Sequence, residues 1–309
     1  MVHKQLDVII CLHENNINNF KLTVKQLYKH LENIKIKVIA NKKLENEIKK
    51  IDLRLLFIDE DKLVENMTLD KIKEILINLI NKNKRAGWYF QQFLKMGYAL
   101  SEECSEYYLI WDSDLILLKS LNFFEKGKMV IYKKTEYHRA YFETLENILG
   151  FGKLFEFSFI AEHMLIKKEI MQEVISKIEK NKKLKGKYYF EKILNSIKIL
   201  DLNNSGFSEF ETYGTYALKN YSNLFILKEI NAWRSAGLIL NNLEIEDDIL
   251  KNLEKSKYNN FSLEISNKPY KFNFLLKNKI IVSIFGFFNI VILIKILNRI
   301  FLNRSKDAE

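Results

Sequence analysis

At 309 residues, 48% hydrophobic and 28% charged, the chain can form one large α/β domain or two small ones, and its apolar content excludes a disordered polymer. A formal net charge of +10 fits an anionic surface or a solvated lysine coat, since lysines interleave with Glu along the chain. No basic helix with interleaved aromatics and no recognised nucleic-acid module occurs, so no nucleic-acid partner is expected.

The first apolar, β-branched run spans Leu6 to Leu12 and precedes an Asn-rich loop at Asn15-Asn16. A helical pattern follows from Leu22 to Leu31, a second strand from Ile36 to Ala40, and a third from Leu55 to Ile58, which stops at Asp59-Glu60-Asp61. Helical periodicity returns over Leu69 to Ile80, and Gly87 opens a further helix. The aromatic run Tyr107 to Trp111 reads as a buried strand ending in Asp112-Ser113-Asp114. Beyond it, Met129 to Tyr132 and His163 to Ile166 read as strands, with helices over Tyr141 to Leu149, Ile170 to Ile178 and Tyr188 to Ile197. Strands alternating with helices predict an α/β fold with a mixed, mostly parallel sheet flanked by helices.

Composition shifts after Pro269, the single proline, where residues 280–294 carry no charge. The division expected from this is a catalytic domain over residues 1–265 and a hydrophobic, basic segment over 266–309. Extending the run to Leu302 takes in Lys295, Asn298 and Arg299 on one helical face. The segment is expected to associate with an anionic membrane surface, as an interfacial anchor or a span, with a buried or oligomer-forming helix as the alternative. The N-terminus lacks the pattern of a secretory signal, which puts the expected location at the cytoplasmic face of the inner or plasma membrane. Cys11 and Cys104 have no metal-ligand spacing or disulfide framework and are expected to be buried free thiols.

A strand that delivers two carboxylates at its C-terminal end presents them to the crevice where open α/β sheets bind ligands. Carboxylate oxygens suit Mg²⁺ or Mn²⁺, which complete their shells with water and phosphate, so Asp112 and Asp114 are the candidate metal ligands. The competing reading is a capped turn. In Arg85-Ala86-Gly87-Trp88-Tyr89-Phe90-Gln91-Gln92, Gln91 and Gln92 suit sugar hydroxyls and Arg85, with Lys95 beyond, suits phosphate. Here the competing reading is a core helix packed by Trp88, Phe90 and Phe93. Polar groups inside apolar runs mark Glu162, His163, Glu209 and Glu211 as candidate catalytic or binding residues, with Ser208 alternatively a helix cap. His13 and Asp59 follow early strands and lie on the sheet edge that holds base and ribose, and Arg234 adds a phosphate contact.

The ordered set Phe57-Ile58-Asp59-Glu60-Asp61, Arg85 to Gln92, Asp112-Ser113-Asp114, Phe159-Ile160-Ala161-Glu162-His163-Met164 and Phe207 to Gly214 resembles a bacterial family of GT-A-class glycosyltransferase-like proteins associated with capsule and lipopolysaccharide synthesis. The resemblance spans roughly Asp7 to Gly237 and leaves out the C-terminal segment. It implies a GT-A, Rossmann-like fold, a nucleotide-diphosphate sugar donor, a glycan or lipid-linked acceptor, and a divalent metal on Asp112 and Asp114. It also implies that Glu209 acts as the base in an inverting reaction or positions the acceptor in a retaining one, while Gln91, Gln92 and His163 orient the sugar.

Two other readings compete. A sugar nucleotidyltransferase would carry a Gly-rich, basic loop after the first strand, where Cys11-Leu12-His13-Glu14-Asn15-Asn16 has neither Gly nor Lys. The other is a catalytically inactive, membrane-bound binding protein on the same fold.

Overall fold

The computed structural model describes residues 5–241, 243–264, 268–270, 273–277, 282 and 286–306. Eleven strands lie among the described residues: β1 Leu6–Leu12, β2 Ile34–Ala40, β3 Leu56–Asp59, β4 Tyr107–Trp111, β5 Leu115–Leu117, β6 Phe124–Glu125, β7 Lys128–Lys133, β8 His163–Lys167, β9 Phe225–Glu229, β10 Ala232–Trp233 and β11 Asn260–Ser262. They form two compact units, each assembled from separate stretches of chain.

Unit 1 comprises residues 1–14, 33–113 and 122–230. Its main sheet has the order β3-β2-β1-β4-β8, in which β3, β2, β1 and β4 run parallel and β8 is antiparallel. The central strands β1 and β4 are buried along almost their whole length, which explains their near-continuous apolar sequence. The expected mixed, mostly parallel α/β sheet is therefore present. Against it lie helices such as Ala86–Gly97 and Glu209–Tyr221, each buried over most of its length. A smaller sheet of the same unit has the order β6-β7-β9.

Unit 2 comprises residues 15–32, 114–121 and 231–309. Its sheet has the order β10-β11-β5, and its core gathers Ile116, Leu118, Phe261 and Leu263 with residues of the C-terminal helix Phe287–Lys306. This helix corrects the expectation of a span. No helix among the described residues is long and apolar enough to cross a membrane. Phe287, Ile290, Val291 and Ile294 recur at one-turn spacing and are buried in the core of unit 2. Of the expected apolar run, residues 280, 281 and 283–285 and the side chains from 300 onward lie outside the described residues. Residues 266–309 share unit 2 with residues 231–265, so the compact units do not follow a division at 265.

Candidate functional site

The parallel strands of unit 1 end together at one edge of the sheet, and its chemistry-bearing residues collect there. β4 ends at Trp111 and hands on directly to Asp112, whose amide donates to the Glu162 carbonyl at 3.1 Å. Glu162 holds a left-handed backbone, φ 62°, a conformation non-glycine residues adopt at a cost.

Lys95 lies beneath Asp112 on a helix whose neighbouring residues, Phe93, Leu94 and Met96, are all buried. A buried ammonium is costly unless paired. Its Nζ donates to Asp112 Oδ1 at 2.6 Å and to Glu209 Oε1 at 2.9 Å, and lies 5.0 Å from the Phe210 ring centroid. Glu209, with a side chain 1% exposed, is the first residue of the helix Glu209–Tyr221. Ser208 caps that helix, its Oγ accepting from the Glu211 amide at 3.2 Å, and a carboxylate in this first turn is favoured by the helix dipole. With its amide nitrogen turned to the carboxylate, Gln92 donates to both Glu209 oxygens, to Oε1 at 3.1 Å. The Asp112 side chain, by contrast, is 30% exposed.

Burial alone would depress the Lys95 ammonium, but the Asp112 and Glu209 carboxylates more than reverse this and hold it above the usual lysine range. Burial raises the Glu209 carboxyl above its ordinary value, opposed by the Lys95 charge. Cys11, at the end of β1, is buried too, and burial pushes its thiol up to about 12. The geometry sets the Lys95 ammonium between the carboxyl groups of Glu209 and Asp112.

Several predicted residues share this edge. His13 follows β1 and is exposed, and Asp59 closes β3, its Oδ1 accepting from the Asp61 amide at 3.2 Å. Beside it Glu60 accepts from the Asn41 amide at 3.3 Å, and burial raises its carboxyl. Gln91 accepts from the Cys11 thiol through its backbone carbonyl, and its side chain is half-buried. Trp88 lies on the same helix under the Arg85 guanidinium, 4.8 Å from its ring centroid.

Other expectations need correction. Arg85 does not face open space: its Nε donates to the Asn204 carbonyl at 2.8 Å and its Nη2 to Ser205 Oγ at 2.7 Å, pinning that turn. His163 is enclosed by the rings of Trp111, Phe123 and Tyr132. Its Nδ1 donates to the Ala161 carbonyl at 2.7 Å, Nε2 has no partner among the described residues, and burial drops its pKa to about 3. A neutral, enclosed imidazole is a core residue rather than a sugar contact. Glu211 accepts from Ser158 Oγ at 2.5 Å and the Phe159 amide at 3.0 Å, so it fastens that turn. Glu209, 1% exposed and holding Lys95 and Gln92, is walled off from solvent, which fits a strut that positions Lys95. Arg234 belongs to unit 2 and pairs with Glu264 at 3.1 Å.

The bridging part of Lys95 was readable only indirectly, as a lysine inside the apolar run Phe93-Leu94-Lys95-Met96, which demands a buried counter-charge. Among the described residues, no three His, Cys, Asp or Glu gather as a ready-made metal cage. Mg²⁺ commonly takes one or two carboxylates and fills its shell with water and substrate phosphate. Asp112, part-exposed with one oxygen held by Lys95, fits such a ligand, and Asp114, two residues on in the sequence, belongs to unit 2. Unit 2 also holds a groove of about 600 Å³ lined by Asn19, Lys21, Leu22, Lys25, Asn241 and Leu263.

A family model described as "Family of unknown function (DUF6492)" matches residues 3–238. None of the curated proteins matches the chain. Among solved structures the chain is similar to mouse xyloside xylosyltransferase 1, at 11% identity and a TM-score of 0.47, with 86% of this chain and 99% of that one covered. It is similar to the bifunctional glycosyltransferase WbbM at 11% identity and a TM-score of 0.49, and it spans 47% of that longer chain with 87% of its own. A third likeness is to the Mn/GDP form of core-mannan synthase A from Aspergillus fumigatus, at 8% identity and a TM-score of 0.41, covering 73% of each chain.

Proposed function

The chain belongs to the DUF6492 family, whose function is unknown, and we propose that it is a metal-dependent glycosyltransferase. The reaction moves a sugar from a nucleotide-diphosphate donor to a glycan or lipid-linked acceptor of the capsule or lipopolysaccharide type. The observation that carries the reading is the Lys95 bridge, which fixes one oxygen of Asp112 at 2.6 Å while leaving that side chain 30% exposed at the carboxyl edge of a parallel strand. Such an edge is where α/β sheets bind phosphate-bearing ligands.

In this mechanism the acceptor oxygen bonds to the anomeric carbon as the bond from that carbon to the diphosphate oxygen breaks, and the acceptor hydroxyl's proton passes to the departing diphosphate. Asp112, with Asp114 two residues on, would hold a divalent ion, which would supply Lewis-acid stabilisation of the departing diphosphate. Lys95 and Glu209 act by position: Glu209 holds Lys95, and Lys95 holds Asp112 in one rotamer. Asp59 and His13 face the nucleoside from the ends of β3 and β1.

The test is a thermal-shift panel of nucleoside diphosphates with and without Mn²⁺, run on the native protein and on Asp114→Ala. A ligand at a hundredfold excess over its Kd stabilises by about 2.7 kcal/mol. The reading expects that shift for at least one nucleotide with Mn²⁺ only, and its loss in Asp114→Ala. Absence of any metal-dependent shift in the native protein overturns it.

A further inference from the structure

We infer that the solvent-facing side of the C-terminal helix Phe287–Lys306 docks on an anionic lipid surface, lying in its interface rather than crossing it. The inference is independent of the transferase reading. It begins with charge. Residues 265–309 contain eight basic residues and two acidic ones, Asp307 and Glu309, so this one segment accounts for +6 of the chain's formal +10. More than half of the net positive charge therefore lies in this segment.

The helix then shows apolar groups on two opposite sides. Phe287, Ile290, Val291 and Ile294 form one arc, buried in the core of unit 2. At about 100° per residue, Ile292, Leu293 and Ile296 fall on the far arc. They are 56%, 45% and 49% exposed. Lys295 and Arg299, both exposed, lie at the edge of that second arc. Core packing accounts for the first arc and leaves the second facing water. An exposed apolar strip edged by cations and free of anions matches a bilayer interface, where acyl boundary meets phosphate headgroup. A second copy of the chain would bring the same positive segment against itself, which charge opposes. Crossing is not the geometry, because one side of the helix already belongs to a protein core.

The experiment is co-sedimentation of the full chain with vesicles of phosphatidylcholine alone, or of phosphatidylcholine mixed with phosphatidylglycerol, at low and high salt. The expected result is pelleting with the anionic vesicles only, reversed by salt. Each basic residue near such a surface contributes about fivefold in partitioning, so Lys295→Gln with Arg299→Gln weakens it roughly 25-fold. Ile292→Ser with Leu293→Ser and Ile296→Ser, all at exposed positions, abolishes pelleting while leaving the melting temperature in place. Pelleting equally with neutral vesicles, or with none, overturns the inference. So does a concentration-dependent dimer that the triple serine variant abolishes, which assigns the face to a second copy. The salt and lipid arms use the unaltered protein, so they decide the matter even if a variant misfolds.

Discussion

Replacing Lys95 by Met tests whether the buried bridge is the strut of the site. The Met side chain keeps most of the volume and removes the ammonium that lies 2.6 Å from Asp112 and 2.9 Å from Glu209. Asp112 retains access to water, but Glu209 is left 1% exposed with only the Gln92 amide facing it. Removing one partner of a buried pair costs about 3–5 kcal/mol, because the other charge stays behind without compensation. The assay is urea unfolding followed by circular dichroism, with the loss read as a lower midpoint at unchanged slope. Adding Glu209→Gln to Lys95→Met removes the orphaned charge and returns most of the lost stability, a coupling well above the few tenths expected of unrelated sites. The pH dependence has a definite sign. Burial raises the Glu209 carboxyl, and a carboxyl with a raised folded pKa binds its proton first in the folded chain. The penalty in Lys95→Met is therefore full at neutral pH and shrinks as pH falls toward the ordinary carboxyl value of 4.5. In the native protein the raised Lys95 contributes stability that is complete below about 10.5 and is lost only as pH rises through its higher folded value. A Lys95→Met protein within about 1 kcal/mol of native, or a double variant no more stable than the single, refutes the strut.

Two further outcomes follow from the same geometry. His163, held neutral by burial with its pKa down at about 3, makes the unfolded chain bind more protons below 6.5. Stability is lost as pH falls from there, by at most about 1.4 kcal/mol per pH unit, and His163→Gln flattens that slope in urea titrations across the acid range. Gly214→Ala, in the helix Glu209–Tyr221, would put a Cβ 2.4 Å from Phe159 Cγ. Overpacking costs about 1–3 kcal/mol and exceeds the helix-propensity gain of about 1 kcal/mol, so a lowered midpoint is expected and an unchanged or raised one refutes the contact.

What the sequence showed depended on how local the cause was. β1, β2 and β4 were legible because inner parallel strands are buried on both faces and read as largely apolar runs, while the edge strand β3 was read from the short apolar run before Asp59. β5, β10 and β11 are two or three residues long, and β5 pairs with β11 across more than a hundred residues of chain, so no local period reveals them. Unit 2 is drawn from three separate stretches, which explains why a single cut at 265 missed it. The apolar length of the tail pointed to a membrane, while the spacing of Phe287, Ile290, Val291 and Ile294 carried the opposite message of a core-facing stripe. At the site, the types and edge placement of Asp59, Gln92, Asp112 and Glu209 were visible, but their partners were not. Whether an acid is a base or a strut depends on what its oxygens meet, and Lys95 comes from another helix.

That distinction bears on why a metal belongs in the proposal. Lys95 cancels Glu209 and leaves the cluster with a formal charge of −1 on the exposed carboxylate of Asp112. The same edge adds Asp59, with Lys62 3.9 Å away, Asp61 and the part-buried Glu60, whose carboxyl burial raises against the pull of Asn41 and Lys43. Arg85, just before the helix that carries Lys95, is committed to Asn204 and Ser205. A diphosphate entering so acidic an edge meets repulsion unless a cation enters with it, and like charges in close juxtaposition cost several kcal/mol. Nucleotide binding here should therefore require a divalent ion outright, not merely improve with one. Lys95 is already spent on two carboxylates, so it cannot take the place of that ion without releasing the strut that positions Asp112.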